Sequence, residues 1–169
     1  MSALVSEIMT RNVIGLPPSA TLAEARTLMQ RHHIRHLPIL EDSRLVGLVS
    51  QRDILAAQES SLEQGLNGQF LEQHSVANVM IKEVTTVSPK AGIREAALYL
   101  QKHKYGCLPV IDKEQLVGIV TDSDFVAVAI HLMEVLDAQL ADPLADELEL
   151  DDLELAKDYQ PESDELNEQ

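Results

Sequence analysis

The chain has 169 residues, 45% of them hydrophobic, enough for one compact core or for two half-domains that share one. It has no apolar run of about eighteen residues or more, and Met1-Ser2-Ala3-Leu4 lacks a basic stretch before an apolar one, so neither a membrane span nor an export signal is expected and a cytoplasmic location follows. The net charge of −15 is local: from Glu134 onward 14 acidic residues face one lysine, the remainder is almost neutral, and without a basic stripe nucleic acid is not an expected partner.

The first element is a short strand at Val13-Ile14, the strand segment being taken as Val13–Leu16. Thr21-Leu22-Ala23-Glu24 has the Thr-x-x-Glu form in which side chains and backbone N–H groups satisfy each other at a helix start. Leu22, Ala25, Leu28 and Met29 continue at helical spacing to about His33. Two short apolar runs, Leu37–Leu40 and Leu45–Val49, flank a polar turn at 41–44 and predict a hairpin. A second helix starts at Asp53. A polar linker from about Gln58 to Ser75 is expected to hold a helical turn around Leu62 or Phe70–Gln73.

The same order then recurs: Val84–Val87, a helix from about Gly92 to His103, Leu108–Ile111, a turn at 112–115, Leu116–Thr121 and another helix. Laid over each other without a gap, residues 5–57 and 76–128 agree at 17 of 53 positions. Among the identical pairs are Met9/Met80, Pro18/Pro89, Pro38/Pro109, Gly47/Gly118 and Asp53/Asp124. Such a repeat predicts an internal two-fold architecture with function where the halves meet. The expected division is repeat one at 1–60, a linker at 61–75, repeat two at 76–133 and an acidic extension at 134–169. The last helix runs on with Phe125, Val128, Ile130, Leu132, Met133, Leu136 and Leu140, an apolar surface able to cover a partner chain. Asp142-Pro143 is a second helix-start signal, placing Leu144, Leu148 and Leu155 near one side, and residues 156–169 read as disordered.

The recurring marks are Val-x-x-h-Met (Val5–Met9, Val76–Met80), Leu-Pro-Ile or Leu-Pro-Val, and Val-Gly-h-Val-[Ser/Thr]-x-x-Asp, where h is hydrophobic. Over about residues 4–130 their order resembles the CBS domain, named after cystathionine β-synthase and usually found as a tandem pair, here as a stand-alone bacterial-type protein. The resemblance implies an α/β (α+β) fold of two pseudo-symmetric β-α-β-β-α repeats packed sheet to sheet, followed by the acidic tail. It also implies a homodimer and a regulatory adenosyl ligand such as AMP, ADP, ATP, S-adenosylmethionine or NAD, with no catalytic cofactor. Two composite clefts follow. One would join Thr121 and Asp124 to Val13, Ile14, Gly15, Leu16, Arg35, His36, Leu37 and Pro38. The other would join Ser50 and Asp53 to Val84, Thr85, Thr86, Val87, Gly106, Cys107, Leu108 and Pro109, with Arg52 and Lys104 nearby. In each, the family uses the aspartate for the ribose hydroxyls and the Ser/Thr for ribose or phosphate.

Several of these residues also have plainer uses. A carboxylate in the first turn of a helix is favourable by about 0.3–1 kcal/mol without any ligand, and a hydroxyl before a helix is an ordinary cap. His32, His33 and His36 resemble a metal cluster, yet no Glu or Cys completes it, and a basic helix end is the simpler reading. Cys107 reads as a small buried filler, and as the single cysteine it has no internal disulfide partner. No nucleophile elbow, P-loop or zinc-protease spacing is present, so no enzyme is expected. A sensor relaying ligand occupancy to an unidentified protein through the C-terminal helix and acidic tail is the leading expectation. A ligand-free scaffold acting through the dimer surface and tail is the alternative.

Overall fold

A computed structural model describes residues 3–63 and 69–140. The expectations for the extension beyond Leu140, including the restart at Asp142-Pro143, fall outside these residues. Two compact units divide the chain at Val126 and Ala127; the first holds repeat one and repeat two as far as the first residues of its last helix.

Repeat one contains α1 (Val5–Ile8), α2 (Leu22–His32), β1 (His36–Glu41), β2 (Arg44–Ser50) and α3 (Gln51–Glu63). The linker holds α4 (Phe70–Gln73), at the second of the two places proposed for a helical turn. A 3₁₀ turn at Val76–Asn78 opens repeat two, followed by α5 (Ile93–His103), β3 (Cys107–Asp112), β4 (Gln115–Thr121) and α6 (Asp122–Leu140). Each repeat forms its own two-stranded antiparallel sheet.

Local signals explain the boundaries. Thr21 accepts a hydrogen bond from the Glu24 N–H while Glu24 accepts from the Thr21 N–H, so α2 starts where its capping box places it. His33 and Lys104 end α2 and α5 in the left-handed conformation, at φ 54° and 58°. The hairpin turns carry positive φ at both central residues, Asp42 and Ser43, then Lys113 and Glu114, the turn geometry that matches strand twist. α3 starts at Gln51, two residues ahead of the expected Asp53, because Ser50 serves as its cap, and it continues to Glu63 into the expected linker.

The strands expected at Val13–Leu16 and Val84–Val87 shrink to single parallel bridges, Leu16 beside Ile39 and Val87 beside Val110. The Leu16 N–H donates to the Pro38 carbonyl at 3.1 Å, and the Leu40 N–H to the Leu16 carbonyl at 2.8 Å. A further rung would need an N–H from Pro18 on one side or from Pro38 on the other. Neither proline has one. Pro89 and Pro109 block the ladder at the same places around Val87, so the identical prolines of the two repeats are strand terminators.

The halves exchange their leading segments. Val5 and Met9 pack in the core of repeat two with Leu100, Leu108, Val110 and Val120. Val76 packs in the core of repeat one with Leu22, Leu37, Ile39 and Val49, and Met80 lies against it. Equivalent backbone bonds fasten both crossings: Val5 N–H to Ala91 carbonyl at 2.9 Å, and Val76 N–H to Ala20 carbonyl at 2.7 Å. Thr10 then exchanges two hydrogen bonds with Ile119, as Ile81 does with Leu48, all at 2.9 Å. The crossing segments pass directly over β2 and β4. A Cβ at Gly118 would lie 2.5 Å from Met9 Sδ, and one at Gly47 equally 2.5 Å from Met80 Sδ. The Met and Gly marks are therefore two sides of one contact.

Gly118→Ala is expected to destabilise the protein by about 1–3 kcal/mol through overpacking against Met9. In urea unfolding, Met9→Ala combined with Gly118→Ala should cost less than the sum of the single changes, because the truncated side chain makes room for the new methyl. Strict additivity would contradict the contact.

Candidate functional site

Ser50 ends β2 and Asp53 lies in the first turn of α3. The Ser50 N–H and hydroxyl both donate to Asp53 Oδ2 at 2.7 Å, and the Asp53 N–H donates to Ser50 Oγ at 3.3 Å. Repeat two copies the box: the Thr121 N–H and hydroxyl donate to Asp124 Oδ2 at 2.6 and 2.8 Å. In each carboxylate one oxygen holds the helix start, while Oδ1 accepts nothing among the described residues. The capping role and an acceptor role toward a ligand are compatible.

Ser50 and Asp53 line a cavity of about 880 Å³, within the roughly 300–1,000 Å³ usual for small-molecule sites. Around them it gathers Val84, Thr85, Gly106 and Cys107 of the expected second cleft, together with Arg52 and Lys104. Thr86, Val87, Leu108 and Pro109 do not line it; Leu108 and Pro109 are fully buried in the fold. The prolines that cut the parallel strand short leave the peptide groups of Thr85 and Thr86 without backbone partners among the described residues. Adjacent polar atoms are thus available to a planar ring.

Arg35 and His36 line this same cavity rather than belonging only to the first cleft. Two contacts across the midline account for it. The Arg35 guanidinium meets Asp122 Oδ1 at 3.1 Å, and the His36 ring lies so close to Gly106 that a Cβ there would be 2.6 Å from Nε2. Both partners of the ion pair are more than half exposed, so the pair adds about 0–1 kcal/mol. For the other expected cleft, Thr121 and Asp124 make their box. Val13, Ile14, Gly15 and Leu16 form the matching half-buried segment, and Leu37 and Pro38 are fully buried. Neither cavity described for the protein joins Thr121 and Asp124 to that segment. Gly15 sits tightly here: a Cβ would lie 2.8 Å from Leu40 Cδ1.

Several lining residues escaped the sequence reading, notably Leu48, Ile81, Glu83, Tyr105 and Phe125. Leu48 and Ile81 form an apolar wall created by the crossing of the leading segments. The only sequence signal for that wall was the repeated Val-x-x-h-Met mark just before Ile81. His32, His33 and His36 sit on a helix end, its left-handed cap and a strand start respectively. Burial pushes the Cys107 thiol up to about 12, helped by Asp122, so it stays protonated at neutral pH.

A family model of the CBS domain matches residues 5–60 and 76–131. The chain belongs to the CBS-domain family, as a tandem pair. A Vibrio cholerae protein described as a candidate acetoin utilization protein (AcuB) is similar in structure, with 48% identity and a TM-score of 0.73 over 81% of this chain and 98% of that one. CBSX2, solved in complex with AMP, is 27% identical with a TM-score of 0.65, over 77% of this chain and 98% of that one. The CBS pair of MJ0100, in complex with 5′-methylthioadenosine and S-adenosyl-L-methionine, is 25% identical with a TM-score of 0.64, over 76% and 96%. Among the described residues no helix is long and apolar enough to cross a membrane.

His36 makes folding stability depend on pH. Burial, then Arg35, then Arg52 hold its imidazole below the ordinary 6.5, opposed by Asp122 and Asp53. Between the lowered folded value and 6.5 the unfolded chain binds the proton more readily, so stability is complete above 6.5 and falls as the pH drops below it. Urea midpoints measured from pH 7.5 to 5 should show this loss in the wild type and a smaller one in His36→Gln.

Proposed function

We propose that the protein is a non-enzymatic regulatory module that binds an adenine nucleotide or another adenosyl ligand between its repeats and relays occupancy through a homodimer. AMP, ADP, ATP, S-adenosylmethionine and NAD are the ligands the reading admits, and a cytoplasmic setting suits it. The observation that carries the proposal is the Ser50–Asp53 box, which keeps one carboxylate oxygen unengaged and lines a cavity walled by both repeats.

A ribose diol donates two hydrogen bonds, and a carboxylate held by its own helix start is a preorganised acceptor for them. Leu48 and Ile81 supply apolar cover for the adenine, with the unpaired peptide groups of Thr85 at its edge. Arg52 and Lys104 favour phosphate. The AMP complex of CBSX2 and the S-adenosyl-L-methionine complex of MJ0100 support this ligand class. Because ligand contacts come from both repeats, binding favours one arrangement of the halves, and the signal can be no larger than that preference. The units carrying it are taken as 1–60, 76–133 and the extension from 134, joined by the linker at 61–75.

A second reading, a scaffold without a ligand, draws on α6. Val126, Ile130, Leu132, Met133 and Leu136 are all exposed along it, a surface suited to another protein. Thermal unfolding separates the two. A ligand at 100 times its dissociation constant adds about 2.7 kcal/mol of stability, and no shift with any of the five ligands favours the scaffold.

Asp53→Ala should weaken nucleotide binding about tenfold to a hundredfold in isothermal titration calorimetry, the loss of one or two hydrogen bonds to a charged acceptor. Asp124→Ala reports on the second cleft in the same titration. A nucleotide that binds both variants as tightly as the wild type would rule out the site assignment.

A further inference from the structure

Besides the large cleft, the protein has a notch of about 430 Å³ between α2 and α3 of repeat one. Shifting its lining by one repeat carries eight of its ten residues onto residues of the large cleft. Leu100, Gln101, Lys104, Tyr105, Asp122 and Phe125 stand where the notch has Met29, Gln30, His33, Ile34, Gln51 and Ile54. The large cleft is therefore two pockets run together, the Ser50–Asp53 pocket and the notch between α5 and the start of α6. In repeat one the notch is a separate cavity, with Arg35, Gln51 and Leu55 on the walls of both. Ala97 and Gly106 stand where the notch has Arg26 and Arg35, and the His36 ring packs into the space beside Gly106.

The two ends of the merged cleft differ in chemistry. At one end is the Asp53 carboxylate. At the other are Tyr105 and Phe125, in a chain with only three tyrosines and two phenylalanines. Tyr105 is 45% exposed and flanked by His103 and Tyr99, with ring centroids 5.7 and 6.1 Å away, while Tyr99 stacks on His103 at 4.3 Å. This cluster holds the ring at the cleft while leaving part of it uncovered. Arg52 and Lys104 also line the cleft and form no ion pair among the described residues, whereas Arg35 is already bound to Asp122.

We propose that the cleft is a two-part site for a dinucleotide: an adenosine held at Asp53, its phosphate bridge at Arg52 and Lys104, and a second ring stacked on Tyr105. The inference rests on the reading of Asp53 as the ribose acceptor. A mononucleotide occupies the first part alone. Stacking suits the second part because every base and the nicotinamide ring offer a π-face, whatever their edge pattern.

Isothermal titration calorimetry on the full chain, with AMP, ADP-ribose, NAD and diadenosine tetraphosphate, tests it. ADP-ribose carries the adenosine and the bridge but no second ring. NAD or diadenosine tetraphosphate should bind about tenfold or more tightly than ADP-ribose. Tyr105→Ala should remove that advantage and Tyr105→Phe keep it. Dinucleotides no tighter than ADP-ribose, with AMP still bound, overturn the two-part site and leave the Asp53 reading intact. An advantage that survives Tyr105→Ala overturns the placement of the second ring. No binding by any of the four overturns both readings.

Discussion

Each half of this protein has its core completed by the other half. Val5 and Met9 belong in sequence to repeat one and in space to repeat two, and Val76 and Met80 make the opposite crossing. The crossing requires a strand surface flat enough for a methionine, which only glycine provides at 47 and 118. Neither repeat can therefore close its core alone. The cleft inherits this: its apolar wall, Leu48 against Ile81, is a seam between the two repeats held by reciprocal backbone hydrogen bonds.

The prolines connect fold to function in the same way. A parallel strand with ordinary residues at 18 and 38 could have extended along β1, using the peptide groups of 14–16. Pro18 and Pro38 stop it at one rung, as Pro89 and Pro109 do in repeat two. Pairing lost there leaves a fixed, extended segment with uncommitted polar atoms at the cleft. The Ser50–Asp53 box follows a similar logic, since one carboxylate oxygen stabilises α3 and the other remains available. A site built from groups that are already structurally held needs little ordering when a ligand arrives.

The two repeats differ in chemistry where they face each other. Arg35 and His36 in repeat one correspond to Gly106 and Cys107 in repeat two, and two contacts cross the midline there: His36 over Gly106, and Arg35 reaching Asp122. Two arginine side chains in place of Gly106 and Ala97 would leave less room for the cleft. Pseudo-symmetry thus supplies two equivalent frames, and its breaking by a few side chains makes one cleft unlike the other.

Much of the architecture was readable along the chain because it depends on near neighbours. The Thr21–Glu24 box, the polar hairpin turns and the apolar spacing of α2 act over a few residues, and they place α2, both hairpins and the start of the following helix to within two residues. The duplicated Ser/Thr-x-x-Asp spacing likewise marks the cap of α3, since a helix turn brings positions three apart together. Strand length at Val13–Leu16 was misjudged because its end depends on a missing N–H in β1, twenty-four residues after Ile14. The assignment of Arg35 and His36 to one cleft, and the absence of Tyr105 and Phe125 from either, have the same origin. The sequence by itself determined the repeat, its elements and its capping carboxylates, all consequences of local stereochemistry. Only the tertiary structure decided which half completes which core and where the clefts merge, because those depend on the shapes of side chains brought together from distant parts of the chain.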